Sequence, residues 1–166
     1  MATMKTLLIV YHSMTGGTRQ MAEAAAAGAA QTGDAVVWLR SATAAGPAEL
    51  LAADGYLFAT PENLGSMAGL LKDFFDRSYY PALGRIEGRP YASLVCAGSD
   101  GEGAARQIAR IATGWRLRAV AEPLRVCTHA QTPEAILAPK QIHAADLERC
   151  RALGEALATG LALGVF

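Results

Sequence analysis

Apolar positions follow two alternating rhythms along this chain: short unbroken runs, and longer stretches in which apolar residues return every three or four positions. The first run, Thr6-Leu7-Leu8-Ile9-Val10-Tyr11, stops at a Ser/Thr/Gly cluster, as a strand buried on both faces of a parallel sheet would. From about Thr18 to Gln31 the chain is rich in alanine. Met21, Ala24, Ala25, Gly28 and Ala29 fall there at helical spacing, and Gly33-Asp34 ends the pattern. Ala35 to Leu39 predicts a second strand and Pro47 to Ala52 a short helix. Tyr56-Leu57-Phe58-Ala59-Thr60 predicts a third strand, with Pro61 as its stop. Met67, Leu70, Leu71, Phe74 and Phe75 then form one apolar stripe with Lys72, Asp73 and Asp76 between them, so a one-sided helix should cover the sheet here.

After a Gly/Pro-rich stretch from Pro81 to Pro90, Tyr91 to Ala97 predicts a fourth strand and Gly98-Ser99-Asp100-Gly101 its loop. Ala104, Ile108, Ile111, Ala112 and Trp115 mark the next helix. Ala119 to Cys127 predicts a fifth strand, and Pro123 inside it argues for an edge position or an irregularity. A loop holding Pro133 and Pro139 leads to a final helix from about Ile142, with Leu147, Cys150, Leu153, Leu157 and Leu161 on one side. Five strands alternating with helices predict an α/β fold of three layers. It is a doubly wound parallel sheet with right-handed crossovers and helices on both faces. No repeat or low-complexity linker interrupts the chain, and 166 residues suit one domain over 1–166.

Charge narrows the partners. Lys plus Arg and Asp plus Glu number 15 each, which leaves no basic footprint for nucleic acid and no acidic tail. A small molecule is the expected partner. The three cysteines, Cys96, Cys127 and Cys150, form no CxxC and fall in apolar runs, where reduced thiols pack as small hydrophobes. The start, Met1-Ala2-Thr3-Met4-Lys5, precedes an apolar run too short to span a bilayer and lacks a cleavage site, so no membrane role and a cytoplasmic location are expected.

In a doubly wound sheet ligands sit beyond the carboxyl ends of the strands, where strand order reverses, so the loops after strands one, three and four carry the chemistry. After strand one comes His12-Ser13-Met14-Thr15-Gly16-Gly17-Thr18, with three hydroxyls, two glycines and no Lys or Arg ahead of a helix. Backbone N–H groups, hydroxyls and the helix dipole hold a phosphate in such a loop without a cationic side chain. The plain alternative is that Ser13 and Thr15 only cap the helix while the glycines only make the turn. Placement between first strand and first helix favours the phosphate. The Walker string GxxxxGK[ST] is absent, and a receiver domain would need acidic residues where Tyr11-His12 stands.

These residues carry a resemblance. Ser13-Met14-Thr15-Gly16-Gly17-Thr18 resembles the S/T-x-T-G-x-T phosphate loop of flavodoxins, in the same strand-loop-helix context. Thr60-Pro61-Glu62-Asn63-Leu64-Gly65-Ser66-Met67-Ala68-Gly69 is similar to the loop after strand three in flavodoxin-like NAD(P)H:quinone reductases, and Lys72-Asp73-Phe74-Phe75-Asp76-Arg77 to the K-x-F-x-D-R helix of that branch. The resemblance implies a five-stranded flavodoxin-like sheet in the order 2-1-3-4-5, with FMN bound through its phosphate at residues 13 to 18. It further implies flavin contacts from Thr60 to Gly65 and from Ala97-Gly98-Ser99-Asp100-Gly101. An isoalloxazine needs apolar surface and hydrogen-bonding backbone. Leu64 beside Gly65 is expected to supply the first, and the N–H groups of Ser99, Asp100 and Gly101 the second. Gly65 is also expected to let a peptide turn its carbonyl toward the reduced flavin N5.

The function this implies is an FMN-dependent oxidoreductase, with NAD(P)H as donor and a quinone or similar acceptor. The flavin supplies the chemistry, so no side chain is named as catalytic acid or base. The alternative is a flavodoxin-type electron carrier. Balanced charge favours the enzyme, because carriers commonly dock through a one-signed patch. A serine hydrolase is the rival from another class, since Ala97-Gly98-Ser99-Asp100-Gly101 resembles a nucleophile elbow and His129 and His143 lie downstream. The scattered histidines argue against a metal site. Tyr79-Tyr80-Pro81 is expected to be a packed loop, with a homo-oligomer contact as the alternative.

Overall fold

The structure, a computed structural model, describes residues 3–166; Met1 and Ala2, part of the N-terminal segment read above, lie outside the described residues. Strand β1 (Lys5–Tyr11) lies between β2 (Ala35–Ser41) and β3 (Gly55–Asn63), and β3 pairs on its other side with β5 (Pro90–Ala97), all in parallel. The expected fifth strand is broken in two: β6 (Arg118–Ala119) pairs with the start of β5 and β7 (Leu124–Cys127) with its end. Pro123 lies in the gap, where a residue without an N–H interrupts the ladder. A two-residue strand, β4 (Ser66–Met67), pairs antiparallel with the end of β3. The sheet therefore has seven strands in the order β2-β1-β3-β5-β6, with β4 and β7 attached to β3 and β5, and this corrects the expected five-stranded, wholly parallel sheet in the order 2-1-3-4-5.

Alternation along the buried strands builds two cores. Leu8, Val10, Tyr56, Phe58 and Val95 face α2 (Pro47–Ala52), α3 (Gly69–Ala82) and α4 (Glu102–Gly114), where Phe74, Phe75, Ile108 and Trp115 fill the space. Leu7, Ile9, Leu57, Leu94 and Val126 face α1 (Gly17–Gln31) and α6 (Ala144–Leu163). Successive strand residues point to opposite faces, so an unbroken apolar run is what a two-sided core demands. Three layers result.

Helices α1 and α6 approach closely because glycine meets backbone at two points. A Cβ on Gly154 would strike the Ala25 carbonyl, and one on Gly28 the Arg151 carbonyl. Arg77, from the K-x-F-x-D-R segment, ties α3 to the loop after β2 by donating to the Ala45 and Ala42 carbonyls at 3.0 and 2.7 Å.

Three boundaries differ from expectation. Tyr79-Tyr80-Pro81, expected as a packed loop, is the last turn of α3, which runs to Ala82. Pro61 does not stop β3, which runs on to Asn63 with Pro61 opposite Cys96. Pairing with β1 ends at Ala59, so beyond it the missing N–H costs no ladder bond on that side. The Pro133–Pro139 loop contains a short helix, α5 (Pro133–Leu137), whose N-cap Thr132 accepts a hydrogen bond from the Ala135 N–H at 3.2 Å.

Candidate functional site

The loops after β1, β3, β5 and β7 surround a crevice of about 450 Å³ at the carboxyl edge of the sheet, within the size range of ligand sites. Its floor is the entry to α1. The helix starts at Gly16, which sits at φ +95°, and it has neither a side-chain cap nor an acidic residue in its first turn. Ser13 Oγ accepts from the Gly16 N–H at 3.1 Å, fixing the turn. The amides of Gly17 and Thr18 have no protein partner among the described residues and carry the positive end of the helix dipole. The Thr18 hydroxyl is buried and likewise has no partner, although a buried hydroxyl normally finds one.

The loop is braced from far along the chain. Gln20 Nε2 donates to the Gly16 and Lys140 carbonyls at 3.0 and 2.7 Å, and Gln20 Oε1 accepts from the Ile142 N–H at 3.0 Å. The Lys140 N–H donates to the Thr15 carbonyl at 2.9 Å. The Lys140 side chain lines the crevice, but its ammonium donates to the carbonyls of Ala135, Ile136 and Ala138 and so closes the end of α5. A positive side chain therefore stands on the wall, contrary to the loop's own composition, with its donors spent on backbone.

The second wall is a β-hairpin. Asn63 pairs with Ser66 across Leu64 (φ +54°) and Gly65 (φ +74°), a two-residue turn of type I′. Leucine rarely takes a left-handed conformation, at a cost of about 1–2 kcal/mol. Leu64 is nevertheless wholly exposed at the tip, where it lines the crevice mouth. Three contacts clamp this hairpin to α4. Glu62 accepts from the N–H groups of Gly101 and Ala104 at 3.0 and 3.1 Å, Gln107 bonds Ser66 Oγ and the Met67 N–H, and the Gly65 carbonyl rests against Gly103.

The predicted site residues divide accordingly. Ser13, Met14, Thr15, Gly17, Thr18, Pro61, Glu62, Asn63, Leu64, Ala97, Gly98 and Ser99 all line the crevice. Gly16 shapes the turn from the far side, and Thr60 is fully buried, accepting from the Ala68 N–H at 2.9 Å. Gly65, Asp100 and Gly101 do not line it. The Gly101 N–H, expected to meet the flavin, is taken by Glu62, and exposed Asp100 pairs with Arg125 at 3.3 Å. The Gly65 carbonyl faces α4 and not the crevice. Ser99 has no hydrogen bond to a histidine among the described residues, and His129 and His143 are exposed on other segments, so no hydrolase triad is assembled.

The reading of three loops missed the fourth. Cys96, Thr128, Ala130, Gln131, Ile136 and Lys140 complete the wall. Thr128 and His129 donate their N–H groups to the Ala97 and Gly98 carbonyls at 2.8 Å each, which lays this segment against the loop after β5. The one available signal was Thr132-Pro133, an N-cap followed by proline. Burial raises the Cys96 thiol to about 11, so it is a protonated wall group.

An anion seat of unpaired amides and an orphaned hydroxyl, at the switch point of a sheet in this order, defines a flavodoxin-like, FMN-binding protein. The Thr18 hydroxyl in particular has no hydrogen-bond partner, and a phosphate oxygen would be an acceptor for it. Comparison with known proteins agrees and is more specific. The sequence matches the family described as NADPH-dependent FMN reductase over residues 39–130, more than half of the chain, and the chain belongs to that family.

Among relatives, it is 35% identical over 95 residues to an NAD(P)H dehydrogenase (quinone) from Acidithiobacillus ferrooxidans, covering 45% of this chain and 48% of that one. It is 32% identical over 100 residues to a flavodoxin from Aquifex aeolicus, covering 60% and 54%. The chain thus spans about half the length of the relatives it matches. A flavodoxin from the domain Archaea has the same fold, with a TM-score of 0.77 at 21% identity over 94% of this chain and 98% of that one.

Proposed function

We propose that residues 1–166 form one FMN-binding oxidoreductase domain that takes electrons from NAD(P)H and passes them to a quinone or similar small acceptor. The observation that carries this reading is the seat at the α1 N-terminus, with its free amides and partnerless Thr18 hydroxyl, opening into a crevice with an apolar mouth. FMN, when bound, supplies the hydride-accepting and electron-releasing centre. The chain binds and orients. Gly17, Thr18 and Thr15 meet the phosphate, while Met14 and Leu64 offer apolar surface at the mouth. The rigid hairpin keeps Leu64 in place without help from the ligand.

A small uncharged acceptor suits this mouth better than a charged protein. Glu62 and Lys140 are committed to backbone, Asp100 pairs with Arg125, and the chain is neutral overall. Free cysteines and the expected cytoplasmic location agree with each other. Stopped-flow mixing of the FMN-loaded protein with NADH and with NADPH tests the proposal. Rapid bleaching of the flavin absorbance, followed by recovery on adding a quinone, supports it. Indifference to both nucleotides, with reduction only by a partner reductase, replaces it with the carrier.

A further inference from the structure

A second recess, of about 570 Å³, opens on the outer side of the hairpin between β4, the first turn of α3 and the middle of α4. It shares no lining residue with the crevice. Its apolar surface comes from buried Met67, half-buried Ile111 and the ring of Tyr79, which is held in a stack on Trp115 at a centroid distance of 5.6 Å. Gln107 crosses the wall, with its carbonyl accepting from the Met67 N–H at 2.8 Å and its amide donating to Ser66 Oγ at 3.1 Å, so this side is rigid.

The charges at the rim are unequal. Lys72 is paired with Asp76 at 2.6 Å, one turn along α3. Arg110 makes no salt bridge and no side-chain hydrogen bond among the described residues, whereas its neighbour Arg106 on α4 is paired with Glu102. A guanidinium left without a carboxylate beside an apolar recess of ligand size is a fork awaiting a planar anion. We propose that this recess binds a small flat aromatic molecule carrying one carboxylate or sulfonate, with its ring on Met67 and Ile111 and its anionic group on Arg110. The flavin crevice is left open by such a ligand, so the two sites can be filled together.

Calorimetric titration of the purified protein, with and without FMN, against 2-naphthoate and its neutral analogue 2-naphthylmethanol tests the assignment. Saturable one-to-one binding of the acid is expected, unchanged by FMN, with the alcohol weaker by about ten-fold or more. Arg110→Gln should remove that preference and leave the alcohol unaffected. Gly69→Phe is the filling variant. A Cβ at Gly69 meets no atom within 4 Å, so the new ring has open space to enter, and it should block both ligands while the melting temperature is retained. Four outcomes overturn the proposal: no saturation, equal binding of acid to wild type and both variants, displacement of the acid by FMN, or a sedimenting dimer that Gly69→Phe splits, which would show a second copy covering the recess.

Discussion

Replacing Thr18 by valine should move stability and affinity in opposite directions. Valine keeps the branched shape and puts a methyl group in place of the hydroxyl, which has no partner in a residue only 1% exposed. An unsatisfied buried hydroxyl is a cost to the folded state, so Thr18→Val should stabilise the apoprotein by about 1 kcal/mol. For a chain of this size that raises Tm by about 2–4 °C. With FMN the sign reverses. A hydrogen bond to a charged group contributes about 1.5–3 kcal/mol, and each 1.4 kcal/mol is about ten-fold in Kd, so FMN should bind roughly ten- to a hundred-fold more weakly.

The assay is titration of flavin fluorescence with apoprotein, run in parallel with FMN and riboflavin, plus a thermal melt without ligand. Riboflavin lacks the phosphate, so its affinity should not change. An FMN Kd within two-fold of wild type would remove Thr18 from the phosphate seat. Equal losses for FMN and riboflavin would mean that the substitution had distorted the crevice.

Leu64→Asn produces an Asn-Gly pair, the favoured sequence for a type I′ turn, and should raise the urea-unfolding free energy by about 1 kcal/mol while weakening riboflavin binding through loss of apolar surface. Gly154→Ala should cost about 1–3 kcal/mol or more in the same measurement, because its Cβ has only the Ala25 carbonyl to enter. Burial raises Cys96 to about 11 and Cys150 to about 12, above the range of an unfolded thiol. Between about pH 9 and those values the folded chain holds protons that the unfolded chain has released, so stability is full below about pH 9 and falls as pH rises, by up to ~1.4 kcal/mol per thiol per pH unit. Urea midpoints at pH 8 and pH 10 should fall more steeply for wild type than for Cys96→Ser with Cys150→Ala; parallel slopes would contradict the assignment.

What could be read from the sequence was what depends on neighbours in sequence. The unbroken runs in β1, β3 and β5 reveal strands with two buried faces, and helical spacing reveals α1, α3 and α4, because burial repeats with the period of the backbone. The turn and helix entry at Ser13–Thr18 were legible for the same reason: turn, hydroxyls and helix start lie within one short stretch. Features made by distant pairing were not. Met67 reads as the first residue of a helical stripe because Leu64-Gly65 is an unusual turn pair, and the hairpin is held by contacts from Glu62, Gln107 and Gly103 that lie far apart in sequence. Nothing local to Gly101 says that its amide will be taken by Glu62. Lys140 lies in a segment whose local signals mark only a short cap, yet its backbone supports the loop at residues 13 to 18.

That support sets an order on biogenesis. The loop at residues 13 to 18 is made well before its brace, because Gln20 reaches partners 120 and 122 positions later. A nascent chain that has passed β7 still lacks the brace behind this loop until Lys140 and Ile142 clear the ribosome, so the loop takes its final shape only after the strands it adjoins have been made.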